Sequence, residues 1–498
     1  MNIALILEMA ADAAPNRVGL VCDNQRWTYG RLLTAARGAA DAIRKNGVRH
    51  VALLDESSEA AAIALFGAAL AGIPYCPLNY RLADTDLAAL IERITPALIV
   101  GDVERLKRLR PGGDYVGLSR SAFVEVAEAS GADAPPGGDE GGDNVAIQLF
   151  TSGTTAAPKA AILRHANLLS YILGTVEFGA ADDSDAALVS VPPYHIAGIS
   201  ALLSSIYALR TILMLPAFEP EAWIRLAQTE GATNAFVVPT MLSRIIDKLQ
   251  TQGGDLSTLR AIAYGGGKMP LEVIARALDL FPETGFTNAY GLTETSSTIA
   301  LLGPEEHRAA HRAENVKARG RLASVGRPLP TVEIEIRGED GQVLPAGERG
   351  EIYVRGDQVS GEYKERSALV ADGWFPTRDA GWLDEDGYLF LAGRADDVIV
   401  RGGENMSPGE IEDVLMTLAA VADACAVAMP SLEWGEAVGV AIVSREGHAR
   451  PDTAVVKELI RARLRSSRVP ERILFVDALP YNEMGKLLRR EVKKLFAD

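Results

Sequence analysis

Val145-Ala-Ile-Gln-Leu-Phe-Thr-Ser-Gly-Thr-Thr-Ala-Ala-Pro-Lys159 starts as an apolar run, then breaks into hydroxyls and one glycine and ends on a lysine. Val145–Phe150 reads as a buried strand. Gly153 permits a turn in which successive backbone N–H groups face one anion. Thr151, Ser152, Thr154 and Thr155 add hydroxyl donors and Lys159 adds a cation, so the strand end carries the parts of a phosphate cradle. It is not a Walker loop, which needs Gly just before the Lys and Ser or Thr just after. Pro158 and Ala160 occupy those places. A Gly-x-Gly-x-x-Gly dinucleotide fingerprint is absent too. Taken alone, such a loop is more often a plain surface turn.

The surroundings of this strand set the fold class. Short apolar runs recur at Val51–Leu54, Ala97–Val100, Ala187–Val191, Ala235–Val238 and Leu259–Ala263, separated by Ala/Leu-rich helical segments. Strand–helix alternation argues for α/β layers with largely parallel sheets. Pro111–Gly113 and Pro135–Gly142 read as exposed loops. From about Arg327 the pattern changes: Val332–Ile336 and Gly350–Arg355 alternate apolar and polar residues, as antiparallel strands with one wet face do. A small β-barrel is expected there, closing a large domain over 1–393. After Gly393-Arg394 come a helix over Ser407–Leu418 and mixed short elements, about a hundred residues in all, the size of a small α+β domain. The expected order is therefore a large domain (1–393), a hinge (394–397) and a small mobile α+β domain (398–498).

Bulk properties narrow the partners. The chain has 498 residues, enough for about three ordinary domains, and 48% of them are hydrophobic. A formal net charge of −16 repels nucleic acid and anionic membrane, so an anionic substrate has to be held by local donors and cations. Cys22, Cys76 and Cys425 are far apart and read as reduced core residues of a cytoplasmic protein. Met1–Glu8 lacks a basic leader and suits a short amphipathic helix. The uncharged run Ala60–Tyr80 is long enough to raise a membrane span. Gly67, Gly72, Pro74 and Pro77 interrupt it, so a buried helix followed by a buried strand is expected instead, with no integral membrane segment. A homodimer stays open.

Further stretches carry chemistry. Asn288-Ala-Tyr-Gly-Leu-Thr-Glu294 places an aromatic, a glycine, a hydroxyl and a carboxylate together. Tyr290 can stack on a base, Gly291 lets it approach the backbone, and Glu294 is a hard oxygen ligand for Mg²⁺. The alternative is a Tyr-Gly turn capping a helix, with Glu294 in its first turn. Asp379, in Thr377-Arg-Asp379, has two acceptor oxygens that suit a vicinal diol. Asn482-Glu-Met-Gly-Lys486 offers a lysine ahead of a basic helix, Leu487–Lys494. His195, in Pro192-Pro-Tyr-His-Ile-Ala-Gly-Ile199, follows a strand end, where α/β sites tend to lie. Arg461, Arg463, Arg465 and Arg468 form a basic cluster read mostly as a solvated helix face.

In this order, and with Gly393-Arg-Ala-Asp-Asp-Val-Ile-Val-Arg-Gly-Gly-Glu-Asn-Met-Ser-Pro408, these stretches resemble the acyl- and aryl-CoA synthetases of the adenylate-forming superfamily. The likeness runs over nearly the whole chain. It implies an ATP- and Mg²⁺-dependent ligase that joins a small carboxylic acid to coenzyme A through an acyl-adenylate. The implied nucleotide residues are Thr151, Ser152, Gly153, Thr154, Thr155, Lys159, Gly265, Gly266, Gly267, Asn288, Tyr290 and Gly291, with Asp379 and Arg394 on the ribose and phosphate. Thr293 is implied on the α-phosphate, Glu294 on the metal, His195 at the acyl pocket and Lys486 as the catalytic cation. Asp396 is implied as the hinge, and Gly402, Gly403 and Trp434 along the pantetheine path. Ala156 and Arg378 stand where relatives carry Gly, and Lys268 where they carry a small or neutral residue. Trp434 and the Gly402-Gly403 pair favour free CoA over a carrier protein. The rivals are carrier loading or release of the adenylate, a catalytically silent nucleotide sensor, and a hydrolytic NTPase.

Overall fold

The computed structural model describes residues 1–110, 112–131, 142–151, 158–394, 397–401, 404–431, 434–464, 466–482 and 487–496. The chain divides into two compact units. The first comprises Met1–Leu322, Pro328–Glu333 and Val354–Phe375; the second comprises Ala323–Arg327, Ile334–Tyr353 and Pro376–Asp498.

Two sheets with helical connections build the first unit. One sheet holds, in spatial order, Ser297–Leu302, Gly285–Leu292, Ala261–Gly265, Asn234–Val237, Ala186–Val189, Thr211–Met214, Val18–Cys22 and Gln25–Thr28. Its central pairs are parallel. The second sheet runs Arg366–Ser367, Glu362–Tyr363, Lys159–Arg164, Val145–Thr151, Tyr75–Pro77, His50–Leu54, Ala97–Gly101 and Tyr115–Leu118. The apolar runs legible in the sequence overlap these strands, with ends shifted by one or two residues: Ala187–Val191 is Ala186–Val189, Ala235–Val238 is Asn234–Val237, and Leu259–Ala263 is Ala261–Gly265. They read as unbroken apolar runs because helices cover the sheet faces.

The Ala60–Tyr80 run is a helix, Glu59–Ala71, buried along nearly its whole length, then a strand, Tyr75–Pro77. Gly72 ends the helix in the left-handed conformation at φ 75°. Buried Glu59 is neutralised by Arg120, which donates to both carboxylate oxygens at 2.9 and 2.5 Å. Among the described residues no helix is long and apolar enough to cross a membrane. Cys22, Cys76 and Cys425 are buried free thiols, each pushed up to about 12, chiefly by burial. They are core residues, as expected.

Antiparallel strands predominate in the second unit. Glu333–Arg337, Gly350–Arg355, Phe375–Leu383 and Leu389–Arg394 pair in that linear order. The antiparallel expectation holds, but the barrel does not form among the described residues: the order is open. A barrel has to pair its first strand with its last, and here Glu333–Arg337 and Leu389–Arg394 stand at the two ends of the order. A further sheet joins Glu404–Met406, Ile399–Arg401, Gly435–Ser444 and Val421–Ser431, with Arg472–Val476 parallel to Gly435–Ser444. Helices Pro408–Leu415, Thr453–Arg463 and Arg489–Lys494 accompany it. Arg489, half-buried, holds Glu412 in a two-pronged pair and also donates to the Ala426 carbonyl at 2.8 Å. Arg461 lies on the solvated face and pairs with Glu458, as the sequence suggests. Arg468 does not: it is buried, with its Nε donating to Glu410 at 3.0 Å. Arg465 lies outside the described residues.

Candidate active site

In the first unit the strands on either side of the phosphate-loop stretch, Val145–Thr151 and Lys159–Arg164, pair antiparallel. Thr151 and Lys159 are Cα partners across the ladder, so the two ends of the predicted cradle are neighbours. Ser152, Gly153, Thr154, Thr155 and Ala156 lie outside the described residues. Arg93 secures the end of this pair. Its guanidinium donates to the Pro158 carbonyl at 2.6 Å and to Glu365 at 2.8 Å, and lies 4.8 Å from the Phe150 ring centroid.

Lys159 then meets the short strand Glu362–Tyr363, which adds to the edge of Lys159–Arg164 with Tyr363 opposite Ala161. The Lys159 ammonium lies 5.5 Å from the Tyr363 ring centroid, within cation–π range. The Tyr363 hydroxyl donates to Glu294 Oε1 at 2.6 Å. A cation, an aromatic ring and a carboxylate from distant parts of the sequence thus form one array.

Glu294 is buried in a single 3₁₀ turn, Thr293–Thr295, that follows the strand Gly285–Leu292. Tyr290 and Gly291 are therefore strand residues; no Tyr-Gly turn opens a long helix here. The turn is held from within and without. Leu292 N–H donates to Thr295 Oγ1 at 3.0 Å, and the Thr295 hydroxyl reaches the Leu292 and Ser297 carbonyls. Gln358, fully buried, donates to the Thr295 and Thr298 carbonyls at 3.1 and 2.8 Å. The Ser360 and Gly361 amides donate to the Glu294 carbonyl at 2.9 and 3.1 Å. These bonds sustain two left-handed residues, Ser296 at φ 57° and Ser297 at φ 113°. Each such residue costs on the order of 1–3 kcal/mol, and strain of this kind collects at functional sites.

Gly291 has a structural reason of its own. A Cβ there would stand 1.7 Å from the Ser297 carbonyl oxygen, where the ladder between the two strands shifts register. Gly265 is likewise closed off, with the Ala289 carbonyl oxygen 2.3 Å from where its Cβ would be. Gly266 and Gly267 are exposed, as is Lys268. Asn288 and Tyr290 are buried in the strand that leads to Glu294. His195 stands at the N-cap position of the helix Ile196–Tyr207, its ring 4.6 Å from that of Tyr194, which meets Tyr80 edge-on at 5.7 Å.

In the second unit Asp379 and Arg394 are Cα partners on adjacent strands, and the Arg394 guanidinium donates to Asp379 Oδ1 at 2.9 Å. Arg378 adopts φ 62°, the left-handed region that favours Gly. That is the physical content of its departure from Thr-Gly-Asp. Its exposed side chain lies 3.8 Å from Glu351, and such a pair contributes little. Arg378→Gly should therefore raise stability by about 0.5–1 kcal/mol, the relief of left-handed strain less the entropy Gly adds to the unfolded chain. Thermal and urea unfolding check this; a loss of stability would show the Glu351 pair to dominate. Trp434 is largely exposed, with the Arg401 guanidinium 5.4 Å from its ring centroid. Asp396, Gly402, Gly403 and Lys486 lie outside the described residues.

The model of the AMP-binding enzyme family matches residues 7–364, and that of the AMP-binding enzyme C-terminal domain matches 410–486. The chain belongs to the AMP-binding enzyme family. This AMP-binding enzyme is 32% identical over 480 residues to the feruloyl-CoA synthase of an Amycolatopsis species, covering 94% of each chain. It is 30% identical over 505 residues to the fatty acid–[acyl-carrier-protein] ligase of Streptomyces coeruleorubidus, covering 98% of this chain and 95% of the other. The o-succinylbenzoate CoA synthetase of Bacillus subtilis, solved with its acyl-adenylate intermediate, superposes with a TM-score of 0.83 at 26% identity, over 98% of this chain and 97% of that one. The same synthetase has been solved with ATP and a magnesium ion, and matches with a TM-score of 0.82 at 26% identity, over 98% of this chain and 99% of that one.

Of the family's expected site residues in the first unit, Thr151, Lys159 and Glu294 fall around one edge of the second sheet. Tyr363, Gln358, Ser360 and Arg93 were not singled out from the sequence. They belong to no local motif, and strand pairing across long stretches of chain brings them to the site.

Proposed function

We propose that this AMP-binding enzyme is an ATP-dependent acid–thiol ligase that activates an aryl or medium-chain carboxylic acid as its acyl-adenylate and transfers it to coenzyme A, releasing AMP and pyrophosphate. The observation that carries this is the buried Glu294 carboxylate, fixed by the Tyr363 hydroxyl at 2.6 Å, with Lys159 on the face of the same ring.

The residues present fit Mg²⁺. No group of three or more His, Cys, Asp or Glu side chains among the described residues forms a metal cage. A single buried carboxylate is what a metal held mainly by phosphate oxygens and waters asks of a protein. Glu294 would hold it; when bound, the ion neutralises triphosphate charge and polarises the α-phosphorus. Lys159 and the hydroxyls of its loop hold phosphate oxygens, and Thr293 steadies the α-phosphate. Asp379 accepts from the ribose hydroxyls, and Arg394, which donates to Asp379, orients it. The substrate carboxylate attacks the α-phosphorus, the bond to pyrophosphate breaks, and Lys486 offsets the charge that develops. His195 borders the acyl group. In the second half-reaction the CoA thiol attacks the acyl carbon and AMP leaves; Gly402 and Gly403 make room for pantetheine and Trp434 packs on it.

The two halves use opposite faces of the domain 398–498, which turns about the hinge 394–397. Asp396→Pro is expected to slow one half-reaction selectively by at least about ten-fold, because Pro fixes φ and restricts the residue before it. Single-turnover measurements of each half check this; an unaffected enzyme would remove Asp396 from the hinge.

The likeness to an acyl-carrier-protein ligase favours a second reading, in which the acceptor is a carrier-bound phosphopantetheine. Pyrophosphate release with Mg·ATP, across benzoates, hydroxycinnamates, o-succinylbenzoate and short to long fatty acids, separates the two. CoA-stimulated release with one acid class supports the CoA ligase. Acid-dependent release that CoA does not stimulate points to a carrier or a free adenylate. Silence with ATP still binding favours a nucleotide sensor.

A further inference from the structure

We propose that Tyr363 is a positioning residue that holds Lys159 and Glu294 apart and presents the carboxylate to the metal. The proposal rests on Glu294 being the metal ligand. Lys159 and Glu294 carry opposite charges on neighbouring elements of one unit. Were they to meet directly, an ion pair would quench both of the groups that a metal–triphosphate needs. The Tyr363 side chain touches both. Its face takes the ammonium at 5.5 Å and its hydroxyl takes Glu294 Oε1 at 2.6 Å. Each charge is satisfied by a neutral group and neither is consumed by the other.

The ring is itself held. Tyr363 lies on a strand that pairs with Lys159–Arg164 through Glu362 opposite Ile162 and Tyr363 opposite Ala161. Arg164, at the end of that same partner strand, reinforces the pairing by donating to both carboxylate oxygens of Glu362 at 2.9 and 2.8 Å. Lys364 donates from Nζ to the Arg93 carbonyl at 3.0 Å, tying the next residue to the arginine that staples the loop. The phenol is therefore fixed on the element that carries Lys159, and a hydrogen bond of 2.6 Å to a carboxylate is of the strong, charge-assisted kind. Outer partners that orient a metal-binding carboxylate typically affect metal affinity by about 10–100-fold.

The test uses the full chain with ATP and Mn²⁺ as a magnetic probe, free Mn²⁺ being read by electron paramagnetic resonance, so that no turnover is needed. Tyr363→Phe keeps the ring and removes the hydroxyl. It is expected to weaken Mn²⁺ binding to the ATP complex by about ten-fold while leaving ATP binding in EDTA unchanged. Tyr363→Leu removes the ring as well, lets Lys159 reach Glu294, and is expected to weaken ATP binding in EDTA too. Melting temperatures confirm that each variant is folded; the half-buried ring makes Phe a mild change. Glu294→Gln is the control. If it weakens Mn²⁺ binding and Tyr363→Phe does not, the proposal fails and the ligase assignment stands. If neither changes Mn²⁺ binding, Glu294 is not the metal ligand and the proposal falls with that role, while acid-dependent pyrophosphate release still decides the ligase assignment.

Discussion

Lys486→Ala is expected to lose acid-dependent adenylation by about 10²–10³-fold, the usual cost of removing one transition-state charge stabiliser. Thioester formation from supplied acyl-adenylate should remain largely intact. The asymmetry follows from the proposed two-face mechanism, in which Lys486 serves one half-reaction and withdraws for the other. The described residues on either side of Lys486 are anchored. Tyr481 and Leu487 bridge as antiparallel partners, and the Tyr481 hydroxyl donates to Asp423 at 2.7 Å. Arg489, just beyond, is half-buried and donates to Glu412 at 2.8 Å. Removing the side chain at 486 leaves these anchors in place, so a folded enzyme with one half-reaction missing is the expected product. Rapid-quench measurement of each half decides it, and equal loss of both would count against the two-face mechanism.

Glu294→Gln is expected to lower adenylation at ordinary Mg²⁺ by at least about 100-fold, no less than the loss of an outer partner costs. Raising Mg²⁺ should recover part of the rate. Gln is nearly the same size and keeps an oxygen that accepts from Tyr363, so the strained turn over Ser296 and Ser297 should persist. The effect then isolates the charge. A Mg²⁺ titration of pyrophosphate release reads it, and an unchanged activation curve would take the metal away from Glu294.

Much of the fold is legible because buried parallel strands announce themselves as short apolar runs; Val51–Leu54 and Ala97–Val100 lie within strands of the structure. The barrel expected from the sequence is an open sheet among the described residues, and the pattern does not separate the two. Alternation along Val332–Ile336 and Gly350–Arg355 says that one face is wet, which an open sheet and a barrel share. At the site, Glu294 and Lys159 were legible because each sits in a compact run of chemically unlike residues. Tyr363 was not, since Glu362-Tyr363-Lys364 resembles any exposed edge strand and gains its meaning only by pairing with Lys159–Arg164. Gln358 and Thr295 act on backbone carbonyls, which no side-chain pattern reports. Arg378 was visible as a departure, but its consequence is a backbone angle, φ 62°, that only coordinates supply.

The central claim is that the enzyme joins AMP to a carboxylic acid before any thiol takes part. Exchange of labelled pyrophosphate into ATP, in the absence of CoA, tests it most directly. The account predicts exchange that needs both Mg²⁺ and the acid and is lost in Lys486→Ala. Acid-independent release of orthophosphate with no exchange would contradict it and make the protein a hydrolase.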